Sequence, residues 1–130
     1  MKLQLSRLGN IKIFTGHGDD HVMINYQRHD RSVVVQAEAV HSDWPVSSFD
    51  ALTEASFEYF LQLQPELVLL GTGIRQRFAH PRLNRVLTNA GIAVEFMDTK
   101  AACRTYNILA GEGRKVALAV VREASEPAQP

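Results

Sequence analysis

Three strand-sized apolar runs, with helical patterns between them, constrain this chain more than any other feature. They are Leu67-Val-Leu-Leu70, Ile92-Ala-Val-Glu-Phe-Met97 and Val116-Ala-Leu-Ala-Val-Val121. A short, continuous apolar run suits a strand covered on both faces. Between the first two, Pro81 opens a helix carrying Leu83, Val86 and Leu87, which Asn89-Ala-Gly91 ends. Between the second and third, Asp98 or Thr99 caps a helix from Lys100 to Leu109, and Gly111 stops it. The C-terminal half therefore reads β-α-β-α-β, and right-handed crossovers place its strands in one sheet with helices packed on it. The expected fold class is α/β: layered, with a central mixed, largely parallel sheet and N-terminal β-hairpin structure.

The first third supplies that β structure. Ile11-Lys-Ile-Phe-Thr15 and Val22-Met-Ile-Asn-Tyr26 flank the turn-rich Gly16-His-Gly-Asp-Asp20, and Val33-Val-Val35 follows as a third β-branched segment. Ser42-Asp-Trp-Pro45 interrupts, because proline lacks a donor and biases Trp44 away from the α region. Phe49, Leu52, Phe57, Phe60 and Leu61 then recur at roughly helical spacing, with Asp50 or Ser48 as cap and Pro65 as the stop. One domain over residues 1–122 is expected, with a disordered tail over 123–130. Leu8-Gly-Asn-Ile11 reads as a turn entering a strand, and Met1-Lys-Leu-Gln-Leu5 lacks a signal-peptide core.

Charge removes whole classes of function. Fourteen Lys and Arg balance fourteen Asp and Glu, so no global positive field invites nucleic acid. Cys103 is the single cysteine, which excludes an internal disulfide or a cysteine zinc cluster and points to a cytoplasmic protein. No apolar run approaches the roughly 18–20 residues of a membrane span. The neutral average hides an uneven middle, however. Between Glu66 and Glu95 there is no acid, yet Arg75, Arg77, Arg82 and Arg85 occur there with His80. Arginine's planar fork suits carboxylates, phosphates or a partner's acidic surface, so Arg75 and Arg77 are candidate partner contacts. Within this segment Phe78 is expected to be a core anchor.

In an open parallel sheet, ligands favour loops at the C-terminal strand ends. Gly71-Thr-Gly73 and Met97-Asp-Thr99 are two such loops, and neighbouring strands bring them to one edge. Gly71, Thr72, Gly73, Asp98 and Thr99 are the candidate ligand-binding residues there, open to two readings. One is an anion loop at a helix N-terminus; the other is a tight turn with a cap. Gln76 stands where a dinucleotide fingerprint needs its third glycine. On the last helix, Ala102, Tyr106 and Leu109 share one face. Arg104, Tyr106 and Asn107 complete the candidate set: Tyr106 at a cleft edge, Arg104 and Asn107 with Glu112 in a polar network. Cys103 near a helix start has nucleophile chemistry, but no histidine lies near it in sequence, and a small buried residue is expected. His17, Asp19, Asp20, His21, His41 and Asp43 carry metal-ligand chemistry, but the glycine turn does not supply helical ligand geometry. No cofactor, metal ligand or catalytic residue is assigned.

Read together, Pro65-Glu-Leu-Val-Leu-Leu-Gly-Thr-Gly73, Gly91-Ile-Ala-Val-Glu-Phe-Met-Asp-Thr99, Ala101-Ala-Cys-Arg-Thr-Tyr-Asn-Ile-Leu109, Glu112-Gly-Arg-Lys-Val-Ala117 and Asp43-Trp-Pro45 resemble a family of small domains. That family includes the mitochondrial respiratory complex I assembly factor 3 and many bacterial and archaeal proteins. The resemblance implies an α/β sandwich with a central mixed sheet, one helical layer and extra β structure. It also implies assembly of the NADH:ubiquinone oxidoreductase alongside a second assembly factor, and it supplies no reaction. No mitochondrial targeting extension is read here, so the bacterial-type reading carries over. The leading expectation is a non-enzymatic binding or assembly-type domain, its protein partners including a second assembly factor or a respiratory-complex subunit. The rival is a small-molecule binder or enzyme that takes an anionic ligand or nucleotide at the Gly-Thr-Gly/Asp-Thr edge. RNA binding through the arginine segment is a weaker third.

Overall fold

A computed structural model describes residues 11–122. The readings of the N-terminal signal, of the start of the Leu8–Ile11 turn and of the 123–130 tail lie outside the described residues. Among the described residues, eight strands form two sheets: β1 (Phe14–Gly18), β2 (His21–Ile24) and β3 (Gln27–His29) in a small one, β4 (Val33–Val35), β5 (Val40–His41), β6 (Leu67–Gly71), β7 (Ala93–Met97) and β8 (Val116–Val120) in a larger one. The larger sheet has the order β5-β4-β8-β6-β7. β8 lies at its centre, antiparallel to β4 on one side and parallel to β6 on the other, and β6 in turn pairs parallel with the edge strand β7. The sheet is therefore mixed with a parallel centre, as the three apolar runs require.

Continuous apolar sequence is explained by two cores. Leu69 and the β8 residues Val116, Leu118 and Val120 face one core, with Phe14, Ile24 and the last helix. Val68 and Leu70 of β6, with Ala117 and Ala119 of β8, face the other, with Trp44, Phe57, Phe60 and Leu87. Period-two alternation sends neighbouring side chains to opposite faces, so every residue of these strands has to be apolar. Helices consequently pack on both faces, not in one layer.

The helix after β7, α3 (Thr99–Gly111), starts on Asp98, whose Oδ1 accepts the Ala101 N–H at 2.9 Å. The other two helices differ from the sequence reading. The Phe49–Leu61 pattern breaks into a 3-10 turn (Phe49–Ala51), α1 (Glu54–Glu58) and a further 3-10 turn (Tyr59–Leu61). Leu52 and Thr53 are extended, and Ser56 Oγ accepts the Thr53 N–H at 3.0 Å, so Thr53 caps α1, while Ser48 holds the N-cap position of the first 3-10 turn without a side-chain cap bond. The Pro81 helix is a 3-10 turn (Pro81–Leu83) followed by α2 (Arg85–Asn89), with Gly91 at φ +80° ending it. Tyr26 is not the end of a strand. Asn25 and Tyr26 both have positive φ and form the two-residue turn that joins β2 to β3, leaving Tyr26 exposed.

The Asp43-Trp-Pro45 segment is a fastening. Trp44 is buried and its Nε1 donates to the Ser56 carbonyl at 3.0 Å. The Tyr59 hydroxyl donates to Asp43 at 2.6 Å, which holds the carboxyl below its ordinary range. The small sheet is tied down by α3. Asn107 Oδ1 accepts the Phe14 N–H and its Nδ2 donates to the Phe14 carbonyl, both at 2.8 Å. The Tyr106 hydroxyl donates to the Lys12 carbonyl at 2.8 Å.

Candidate functional site

The parallel register aligns the ends of three strands: Gly71 lies opposite Met97 of β7 and Val120 of β8. Beyond them opens a cleft of about 560 Å³, lined from the sheet side by Thr72, Gly73, Ile74, Arg75, Arg77, Asp98, Thr99 and Lys100. Its other wall is the β1–β2 hairpin (His17, Gly18, Asp19, His21, Val22) together with His29, Arg31 and Arg122. Arg122 fastens that wall by donating from Nε to the Asp20 carbonyl at 2.7 Å, while its own N–H donates to Ser32 Oγ at 2.9 Å. At the hairpin turn Asp20 accepts from His21 at 2.8 Å and from Arg28 at 3.2 Å, and the His21 contact holds its carboxyl below the usual range.

The Gly-Thr-Gly and Asp-Thr loops are stitched to each other. The Thr72 N–H donates to the Met97 carbonyl at 2.8 Å, the Gly73 N–H to Thr99 Oγ1 at 2.8 Å, and the Thr99 N–H back to the Gly73 carbonyl at 2.9 Å. Gly73 needs its φ of +99° for this crossing. At Gly71 a Cβ would stand 3.2 Å from Thr99 Oγ1 and 3.4 Å from Thr99 Cα, so glycine lets β6 meet the start of α3. With Asp98 capping Ala101, most of the backbone donors that an anion nest would use are already engaged. The turn-with-cap reading describes these loops, and recognition in the cleft falls to side chains.

Thr72 organises the next segment. Its side chain is buried; Oγ1 donates to the Arg75 carbonyl at 2.6 Å, with the Met97 carbonyl at 3.1 Å, and accepts the Arg77 N–H at 3.1 Å. Gln76 Nε2 donates to the Phe96 carbonyl at 2.8 Å, and the Arg77 guanidinium lies 4.4 Å above the Phe49 ring. Phe78 is not a core anchor. It is 70% exposed and touches Phe96 from outside at 5.9 Å between ring centres, because the segment holding it rides over the end of β7. Ile74, four residues earlier in the same segment, is 78% exposed.

The remaining candidates separate. Tyr106 is wholly buried against Phe14, ring centres 5.3 Å apart, with its hydroxyl spent on Lys12, so it is no cleft edge. Asn107 binds backbone, as a structural network requires, but Arg104 and Glu112 are exposed and outside that network. Gly71, Arg104, Tyr106 and Asn107 do not line the cleft, nor do Arg82 and Arg85. His17, His21, His29 and Arg31 do, and sequence reasoning missed their place there. The turn signal at Gly16–Asp20 located a hairpin, but nothing local says which strand ends it covers. Among the described residues, no group of three or more His, Cys, Asp or Glu side chains is gathered to hold a metal ion. No described helix is long and apolar enough to cross a membrane.

Cys103 is buried in the α3 core, and burial pushes its thiol up to about 12, against the lowering that a helix start alone would give. We therefore expect the folded chain to resist alkylation by iodoacetamide at pH 8 and to react promptly once unfolded in guanidinium. Equal labelling in both states would show that the thiol is accessible and ionised.

Similar proteins share this architecture. Bovine (Bos taurus) NADH dehydrogenase (ubiquinone) 1 alpha subcomplex assembly factor 3 is 42% identical over 80 residues, covering 60% of this chain and 44% of the relative. The chain spans about half the length of the assembly-factor relatives it matches first. The crystal structure of a Bordetella parapertussis protein is 37% identical, with a TM-score of 0.81 over 87% of this chain and 97% of that one. A Bordetella pertussis solution structure described as an Mth938-like domain is 29% identical, with a TM-score of 0.75 over 93% and 90% of the two chains. The family model described as "Protein of unknown function (DUF498/DUF598)" matches residues 14–121, and the chain belongs to that family of small mixed α/β domains, which includes complex I assembly factor 3.

Proposed function

We propose that this chain is a non-enzymatic, assembly-type binding domain that docks on a protein partner through the strip Ile74–Phe78. The observation that carries the reading is the exposure of Ile74 and Phe78 on either side of Arg75 and Arg77, in a segment held in place by Thr72. Exposed apolar anchors interleaved with arginine are the composition of an interface core. The bovine relative's name, an assembly factor, supports the same reading. A respiratory-complex subunit or a second assembly factor is the partner this favours, met in the cytoplasm or on its membrane face. In the cleft, the Thr72 and Thr99 hydroxyls are both engaged with backbone, which favours a structural over a nucleophilic use of either.

The test is native co-purification on the full chain. Wild type is expected to recover a respiratory-complex subunit or assembly factor. Ile74→Asp combined with Phe78→Asp is expected to weaken that capture about tenfold or more. Both side chains are exposed, so folding stability changes by no more than about 0.5 kcal/mol each. Wild type that recovers neither class of partner, or a double variant that binds as well as wild type, would overturn the proposal.

A further inference from the structure

We infer that the cleft, which shares Ile74, Arg75 and Arg77 with the docking strip, also binds a small polyanion: a phosphorylated molecule bearing two or more negative charges. The chain as a whole is neutral, yet five cationic side chains line this one concavity against two carboxylates, Asp19 and Asp98. Three of the five, Arg31, Arg75 and Lys100, make no ion pair among the described residues. They come from separate places in the chain: the loop after β3, the loop after β6 and the first turn of α3. Unpaired like charges drawn around one concavity raise its potential, and walls of low dielectric focus that potential on whatever enters.

The chemistry of the ligand follows from what the cleft offers. Its loop N–H groups are mostly consumed by the Thr72–Met97 and Gly73–Thr99 stitches, so a single small ion finds little backbone to bind. Guanidinium forks on opposed walls instead suit a ligand that presents several oxygens at once. A volume of about 560 Å³ lies within the range of small-molecule sites. Val22 on the hairpin side and Ile74 and Val120 on the sheet side add apolar surface to the cleft, which suits an organic body carrying the charge.

Thermal denaturation and calorimetric titration of the full chain at constant ionic strength test this, with inorganic pyrophosphate and ADP as probes and acetate as control. At a probe concentration about a hundred times Kd, the expected rise in Tm is about 10 °C. Acetate gives none. Arg31→Ala and Lys100→Ala are each expected to weaken probe binding about tenfold. Arg104→Ala, exposed on α3 outside the cleft, leaves it unchanged. Absence of any shift with both probes at about 10 mM, far above useful Kd values, would overturn the inference. So would a shift that survives intact in the Arg31→Ala/Lys100→Ala double variant. Phe78→Asp alone, at a side chain outside the cleft, keeps both walls' cations and is expected to weaken partner capture while binding the probes normally, so loss of partner capture and loss of anion binding are read separately.

Discussion

Tyr106→Ala is expected to destabilise the fold by about 4 kcal/mol in a denaturant titration, since truncating a large buried aromatic leaves a cavity that relaxes only in part. The ring is wholly buried, packs edge-on to Phe14 at 5.3 Å, and its hydroxyl satisfies the Lys12 carbonyl at 2.8 Å. Tyr106→Phe separates the two contributions. It keeps the packing, loses one hydrogen bond, and is expected to cost about 1 kcal/mol. Because Phe14 begins β1, the damage should concentrate in the small sheet. Hydrogen exchange of β1 and β2 amides is expected to accelerate in Tyr106→Ala before that of β6 and β8. A cost below about 2 kcal/mol, or equal losses in the two variants, would mean that the ring is not the anchor described. Alkaline pH gives an independent check. Burial raises the phenol above its ordinary value of 10, so the folded state favours the protonated form. That contribution is complete below pH 10 and is lost as pH rises beyond it. Tyr59 is shifted the same way, so the comparison is wild type against Tyr106→Phe, and wild type should lose more stability above pH 10.

What was legible in the sequence depended on how local its cause is. The parallel centre was legible because Leu67–Leu70 and Val116–Val121 carry their environment in their composition: strands buried on both faces admit no polar residue. The meeting of Gly71-Thr-Gly73 with Asp98-Thr99 followed from that, since parallel neighbours bring like ends together. The Phe49–Leu61 segment misled because its apolar spacing survives a break at Leu52-Thr53 that only the Thr53–Ser56 cap reveals. Phe78 misled because hydrophobicity alone does not tell a core residue from an exposed contact. The far wall of the cleft was invisible for a different reason. Its fastenings, Asn107 to Phe14 and Arg122 to Asp20, join residues 93 and 102 positions apart. No periodicity or turn signal encodes such pairs, so the arginines of residues 75–77 were recognisable as a basic segment while the hairpin that faces them was not.

Thr72 carries the second large expected effect, because one hydroxyl there serves the fold and both proposed surfaces at once. Thr72→Val preserves shape and removes only polarity. It leaves the Arg75 carbonyl and the Arg77 N–H, now bonded to Oγ1 at 2.6 and 3.1 Å, without that partner in a part-buried setting. Two such losses are expected to cost about 2–3 kcal/mol. The functional loss should be larger than this global figure suggests. The segment from Ile74 to His80 has no regular secondary structure, so Thr72 is what aims Arg75 into the cleft and presents Ile74 and Phe78 outward. Partner capture and pyrophosphate binding are both expected to fall about tenfold in Thr72→Val, although Thr72 is a positioning residue whose buried side chain contributes little surface to either. Thr72→Ser keeps the hydroxyl and is expected to restore both bindings to within about threefold, at a small packing cost. If Thr72→Ser fails as badly as Thr72→Val, the missing methyl and not the hydroxyl is the cause. If Thr72→Val binds both partners normally, the loop holds its shape through Gln76, Arg77 and Phe78 alone, and the site does not depend on Thr72.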